Sequence, residues 1–164
     1  MKIAIFYDTD TGNTQKMAEV IAKGANSVEE IEARTFPMTD YDVDFATECK
    51  CIIAGTPTYM ASLTARTKTW LENLPRELGL SKKIGGAFAT EGYVHGGGEM
   101  AIRSILDHFM CFGMMTYSGG GSQGKPVIHL GPVALADQLD NFTETFTLYG
   151  ERMANKTKEV YSKS

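Results

Sequence analysis

The stretch KIAIFYDTDTGNTQKMAEVIAKG, Lys2 to Gly24, changes its periodicity halfway. Lys2 to Tyr7 is a short continuous apolar run, the pattern of a strand buried on both faces. Asn13 to Gly24 places Met17, Val20, Ile21 and Gly24 at helical spacing. Between them, Thr9 to Thr14 offers hydroxyls, an amide and a run of backbone N–H groups just where a helix begins. Unpaired N–H groups and the helix dipole favour a phosphate dianion at such a place. The loop has no Lys or Arg, so it would hold phosphate by neutral donors alone, which suits a terminal monophosphate in a preformed nest. The spacing is not that of a P-loop, because Gly12 is the loop's only glycine and no Gly-Lys-Ser/Thr follows; nor is it GxGxxG. An ordinary helix cap would account for Thr9 and Thr11 taken alone. Asp8 and Asp10 are expected to be neither metal ligands nor catalytic acids. The Asp10 carboxylate is expected to turn away from the phosphate, since a like charge at low dielectric would be costly.

Downstream, the same alternation repeats. Val28 to Thr35 reads as a second strand, and acidic Thr39 to Glu48 as one helical turn. Lys50 to Gly55 is a buried strand, Ala65 to Leu74 a helix stopped before Pro75, and Ile84 to Thr90 a Gly-rich strand. Met100 to Phe112 is a helix with Gly113 as its stop, and Met114 to Ser118 a fifth strand. Ser118 to Pro132 is a Gly-rich excursion, with Lys125 and His129 expected in solvent. Leu135, Leu139, Phe142, Phe146, Tyr149 and Met153 form a stripe that predicts one long C-terminal helix, in which Gly150 costs about 1 kcal/mol. Alternating strands and helices imply a parallel sheet covered on both faces, with right-handed crossovers and a ligand beyond the carboxyl ends of the strands. The 164 residues suit a single domain.

Composition excludes several classes. Apolar residues make up 43% and charged residues 22%, as in a globular domain, and the net charge of −4 comes with no basic run for nucleic acid. Lys156, Lys158 and Lys163 read as a solvated helix end. No apolar run is long enough for a membrane span or signal segment. Three cysteines, Cys49, Cys51 and Cys111, point to reduced thiols in a cytoplasmic protein. Cys49-Lys50-Cys51 lacks the partners of a zinc site and reads as buried thiol on a strand.

Two further loops follow strands. Gly55-Thr56-Pro57-Thr58-Tyr59-Met60-Ala61-Ser62 puts an aromatic ring and a thioether beside hydroxyl and backbone donors. Thr90 to Glu99 (TEGYVHGGGE) adds Tyr93 to a segment whose glycines permit close backbone approach. A phosphate nest and two aromatic loops on successive strand ends describe a site for an aromatic mononucleotide.

Thr9-x-Thr11-Gly12-Asn13-Thr14, continued by Gln15-Lys16-Met17-Ala18-Glu19, resembles the phosphate loop of flavodoxins. Gly55 to Tyr59, Ala65 to Asn73 and the Gly96-Gly97-Gly98-Glu99 helix entry resemble a sister branch, the flavodoxin-like quinone reductases related to the tryptophan-repressor-binding protein. The resemblance runs from Lys2 to about Ser118. It implies an α/β three-layer sandwich with a five-stranded parallel sheet in order 2-1-3-4-5, and non-covalently bound FMN. Carried over, Thr9, Asp10, Thr11, Gly12, Asn13 and Thr14 would form the phosphate loop. Thr56, Pro57, Thr58, Tyr59 and Met60 would line one side of the isoalloxazine ring. Thr90, Glu91, Gly92, Tyr93, Gly96 and Gly97 would line the other side, with Tyr59 or Tyr93 stacking on the ring.

The resemblance implies FMN-dependent electron transfer with a redox partner protein. The alternative is an NAD(P)H:quinone oxidoreductase, and a module that has lost its flavin is disfavoured by the intact phosphate loop. Thr56 to Ala65 has no acidic residue and Arg66 and Lys68 follow it, which suits a less negative flavin potential or an anionic nicotinamide substrate. Against the enzyme, Cys111-Phe112-Gly113 stands where the sister branch has His-His-Gly, with His108 one turn earlier. Met60-Ala61-Ser62 also replaces that branch's Phe-Gly-Asn pattern. The sister branch implies a homo-oligomer, simple flavodoxins a monomer; the oligomer is the expectation here.

Overall fold

The structure, a computed structural model, describes residues 1 to 162. The central strands are β1 (Lys2–Tyr7), β2 (Glu32–Pro37), β3 (Cys51–Tyr59), β5 (Ile84–Glu91) and β6 (Met115–Thr116), in the order β2-β1-β3-β5-β6. All neighbours in this path are parallel. Read by position, this is the expected 2-1-3-4-5 sheet. Two short strands add to it. β4 (Ser62–Leu63) folds back antiparallel on the end of β3, and β7 (Val133–Leu135) lies parallel to β5 opposite Ala89 to Glu91. The outer lane is therefore shared by two segments, β6 at one end and β7 at the other, with residues 117 to 132 looping out between them.

The helices are α1 (Asn13–Asn26), α2 (Val43–Glu48), α3 (Ala65–Glu72), α4 (Gly98–Cys111) and α5 (Thr143–Tyr161). Side-chain alternation along β1 explains their placement. Ile3 and Ile5 face Met17, Ile21, Phe146 and Tyr149 of α1 and α5. Ala4 and Phe6 face Phe45, Leu71, Ile102 and Phe109 of α2, α3 and α4. Both faces of the strand are thus buried, which is why its sequence is continuously apolar rather than alternating.

The C-terminal stripe is not one helix. Leu135 belongs to β7, Leu139 to a single 3-10 turn, and the helix starts only at Thr143. The four-three spacing persisted across the break because strand, turn and helix all press on the same core. Gly150 has a packing reason. A Cβ there would lie 2.1 Å from the Ile21 carbonyl oxygen, and one on Gly24 would lie 2.0 Å from that of Thr147. The two glycines let α1 and α5 touch backbone to backbone.

Three smaller expectations also shift. The second strand begins at Glu32, after a turn at 27 to 30. Cys51 is buried on β3, but Cys49 ends α2, where its thiol donates to the Ala46 carbonyl. Lys156 and Lys158 are not free: Lys156 pairs with Glu159 and lies over Tyr117, and Lys158 donates to the Glu29 carbonyl. Lys163 lies outside the described residues.

The excursion is built around one side chain. Arg152 of α5 is 8% exposed and donates to the carbonyls of Gly119, Gly120, Gln123, Gly124 and Pro126 at 3.1 to 3.4 Å. Ile128 enters the core beside α5, while Lys125 and His129 are exposed.

Candidate functional site

The carboxyl ends of β1, β3 and β5 bring the three loops to one edge of the sheet. At the first, Gly12 takes a left-handed conformation (φ 85°) that turns the chain into α1, and its N–H donates to Thr9 Oγ1 at 3.0 Å. No side chain caps α1, and its first turn carries no acidic residue. An α-helix leaves its first N–H groups without intrahelical partners. Three other helices, α2, α3 and α4, have a side chain that accepts from an N-terminal N–H, whereas α5, entered directly from a 3-10 turn, has none. Asp42 accepts from Phe45 N at 2.9 Å, Thr64 from Thr67 N at 3.1 Å, and Glu91 from Gly98 N at 2.8 Å at the start of α4. The α1 terminus has no such side-chain acceptor and follows directly on the Thr9 to Gly12 loop. Its uncapped donors fit a phosphate.

The hydroxyls of the loops divide. Thr14 is buried and shares a hydrogen bond of 2.9 Å with buried Thr90, tying the start of α1 to β5. Thr56 is fully buried beneath β4, bonded to Thr64 N and Thr67 Oγ1. The hydroxyls of Thr90 and Thr56, which the sequence groups with the ring-lining residues, are engaged within the protein. Thr58 Oγ1 is buried and has no hydrogen-bond partner among the described residues.

Above these hydroxyls stand exposed apolar side chains. Tyr59 is 46% exposed, Tyr93 71% and Met60 99%. Met60 and Ala61 both have positive φ in the tight β3–β4 turn, and His95 does so in the third loop. Non-glycine residues in that region are strained and collect at functional loops. The two loops meet at Gly97, the residue before α4 (φ 99°): a Cβ there would come within 2.6 Å of Ala61 Cα. Glu91, at the end of β5, closes the third loop through its bond to Gly98 N, so its carboxylate serves the protein's own helix. Gly92 has open space around it, whereas a Cβ on Gly96 would press on Glu91 and the Tyr93 carbonyl. Pro57 is paired with Thr90 at the end of the β3–β5 register.

Asp8 and Asp10 find a common partner that the loop's sequence does not contain. Arg66, in the first turn of α3, donates Nε to Asp8 Oδ1 at 2.9 Å and Nη2 to Asp10 Oδ1 at 2.8 Å. Asp8 Oδ2 accepts from Thr64 Oγ1, and Asp10 Oδ2 accepts from the Tyr59 hydroxyl. Tyr59 and Arg66 together hold the Asp10 carboxyl below its ordinary range, and Asp10 in turn raises the Tyr59 phenol. For a lowered carboxyl, the stabilisation is present at neutral pH and fades only as pH falls through the lowered value. The latch between the first and second loops is thus closed under physiological conditions. Asp10 is committed sideways, to Tyr59 and Arg66. Thr11 has no such engagement. Replacing Thr11 with Val is expected to weaken FMN binding about tenfold, and Asp10→Asn to leave it unchanged or tighter; isothermal titration of the flavin-free protein measures both.

Lys68 is also paired, with Glu72 at 2.7 Å and with His108 Nε2 at 2.8 Å. His108 Nδ1 lies 2.6 Å from the Ser104 carbonyl and must donate to it, which leaves Nε2 to accept from Lys68. No helix of the described residues is long and apolar enough to cross a membrane.

Comparison with known proteins places this arrangement. The family model described as flavodoxin matches residues 5–126. A flavodoxin of Clostridium saccharobutylicum is 39% identical over 161 residues, covering 98% of this chain and all of that protein. A Paraburkholderia phymatum protein named NAD(P)H dehydrogenase (quinone) is 26% identical, over 83% of this chain and 76% of its own. Among solved structures, an archaeal flavodoxin superposes with a TM-score of 0.75 at 24% identity, covering 96% of this chain and 99% of that one. With a full-length relative at 39% identity and a family match across the three loops, the chain belongs to the flavodoxins, electron-transfer proteins that carry FMN.

Proposed function

We propose that this flavodoxin exchanges electrons with a redox partner protein and has no nicotinamide substrate of its own. FMN, when bound, supplies the electron uptake and release, and the chain holds, orients and shields it. In this reading the uncapped N–H groups of α1, with Thr9, Thr11 and Asn13, hold the phosphate. Tyr59 and Tyr93 cover the faces of the ring system from the second and third loops. Met60 forms the exposed rim.

The observation that carries the reading is the state of the two cations beside the second loop. A nicotinamide nucleotide brings phosphates that need a positive seat. Arg66 is already shared between Asp8 and Asp10, and Lys68 is held by Glu72 and His108. Two carboxylates against one guanidinium leave the Arg66 corner one charge negative. The absence of the sister branch's His-His-Gly segment supports the same conclusion. So does the order of the relatives, 39% identical to a flavodoxin against 26% to a quinone dehydrogenase.

The test is anaerobic mixing of the yellow FMN form with NADH or NADPH. The expected result is an absorbance that persists for minutes and bleaches only when a reduced partner protein or dithionite is added. Rapid bleaching by either nucleotide would favour the quinone-reductase reading instead. A colourless protein that takes up no added FMN would overturn both.

A further inference from the structure

One cation stands beside the phosphate loop, although the loop itself contains none. Lys16 lies in the first turn of α1. Its Nζ is 2.8 Å from Asp140 Oδ1, in the 3-10 turn Leu139–Phe142 that leads into α5. Asn13, Lys16 and Asp140 border one cleft of about 490 Å³, so Lys16 and the phosphate-loop residue Asn13 share one side of the helix entry.

A lysine is out of place there unless an anion answers it. A positive charge in the first turn opposes the helix dipole, and α1 has no acidic residue in that turn. Asp140 provides the countercharge from across the cleft. Lys16 holds that carboxyl below its ordinary range, so both groups are charged at neutral pH. The pair is open to water, with the Lys16 side chain 53% and that of Asp140 88% exposed. An ion pair so exposed contributes little and is easily exchanged. Lys16 sits about 4.5 Å along the helix from Asn13. Helical side chains lean toward the N-terminus, and the flexible lysine stem covers that distance. A phosphate held on the N–H groups of α1 is therefore within reach of Nζ, and a dianion is a stronger partner than one solvated carboxylate.

We propose that Lys16 is a specificity-determining residue for the phosphorylated flavin: it exchanges Asp140 for the FMN phosphate, and Asp140 tempers the attraction by competing for it. This role rests on the loop's reading as an FMN phosphate seat. The neutral donors of the loop position the phosphate, while Lys16 sets how strongly FMN is preferred to riboflavin, which lacks it.

The experiment titrates FMN and, separately, riboflavin into the flavin-free parent, Lys16→Gln, Asp140→Asn and the double variant, at low and at moderate salt, followed by flavin fluorescence. Both positions are exposed and the fold is expected to be kept. Lys16→Gln should weaken FMN about tenfold and leave riboflavin unchanged. Asp140→Asn should strengthen FMN about two- to fivefold, again without effect on riboflavin, and steepen the loss of FMN affinity with salt. With Lys16 already replaced, most of the gain from Asp140→Asn should disappear. An FMN affinity that Lys16→Gln does not change, or equal losses of FMN and riboflavin, overturns the proposal. So does an undiminished gain from Asp140→Asn without Lys16, which would make Asp140 a direct repeller of the phosphate. A parent that binds FMN without these differences removes the Lys16 role alone. Bleaching by NADH or NADPH removes the electron-carrier reading and leaves the Lys16 role standing, and a parent that takes up no FMN removes both.

Discussion

Replacing Gly97 with alanine is expected to weaken FMN binding by about ten- to a hundredfold with the fold retained. Gly97 joins the third loop to α4 in a left-handed conformation, which costs an L-residue roughly 1 to 2 kcal/mol. Its missing Cβ is also the space that Ala61 occupies, with the Ala61 Cα 2.6 Å and its carbonyl oxygen 2.9 Å from where that atom would be. Neither backbone can yield cheaply, because Ala61 is itself at positive φ in a two-residue turn between β3 and β4. The strain must be relieved by moving the second and third loops apart, and these loops carry Tyr59, Met60 and Tyr93. The core beneath them is untouched. Flavin titration monitored by fluorescence quenching would read the loss, while urea unfolding of the flavin-free protein should change far less. Gly92→Ala, where the space is open, is the control expected to bind FMN nearly as well as the parent.

The second large effect is expected at Arg152. Arg152→Leu should destabilise the protein by about 3 kcal/mol, read as a lower urea midpoint, and should release residues 119 to 126 to rapid amide exchange. Five carbonyls converge on one buried guanidinium. The leucine keeps the apolar stem's volume but leaves those oxygens without their donor, and part of the segment near α5 is too buried to replace every bond by water. Arg152→Lys retains the charge on a single nitrogen with three donors in place of a planar fork, so it should recover part of the stability and not all. FMN affinity should change little in either variant, because none of the five carbonyls belongs to the three loops at the strand ends.

The fold was legible where periodicity and burial point the same way. After their leading lysines, KIAIFY and KCIIAG are apolar throughout because helices cover both faces, and no other common arrangement asks that of so short a run. The phosphate loop was legible because its chemistry lies within six consecutive residues. Arg66 was not. Its partners Asp8 and Asp10 are more than fifty positions away, and only the β1–β3 register, which sets Tyr7 opposite Gly55, brings α3 back to the first loop. Nothing local marks Arg66 as a neutralised cation rather than a seat for substrate. Arg152 is the same case: on a helix wheel it is a charged residue like any other, and its role follows from a coil that returns to α5. Leu135 and Leu139 misled because a strand and a turn can mimic helical spacing when they rest on one core.

The split outer lane has a consequence for chain length. Thr116 pairs with Gly85 and Val133 with Ala89, so only the span opposite Gly86, Ala87 and Phe88 separates β6 from β7. Three extended residues would bridge it, yet residues 117 to 132 are used. The sheet's topology is therefore indifferent to how much chain is spliced in at this point. The part at 119 to 126, tethered by its own guanidinium, can be shortened, lengthened or exchanged without re-threading any strand, while Ile128 and Gly131 stay seated on the core and on β5.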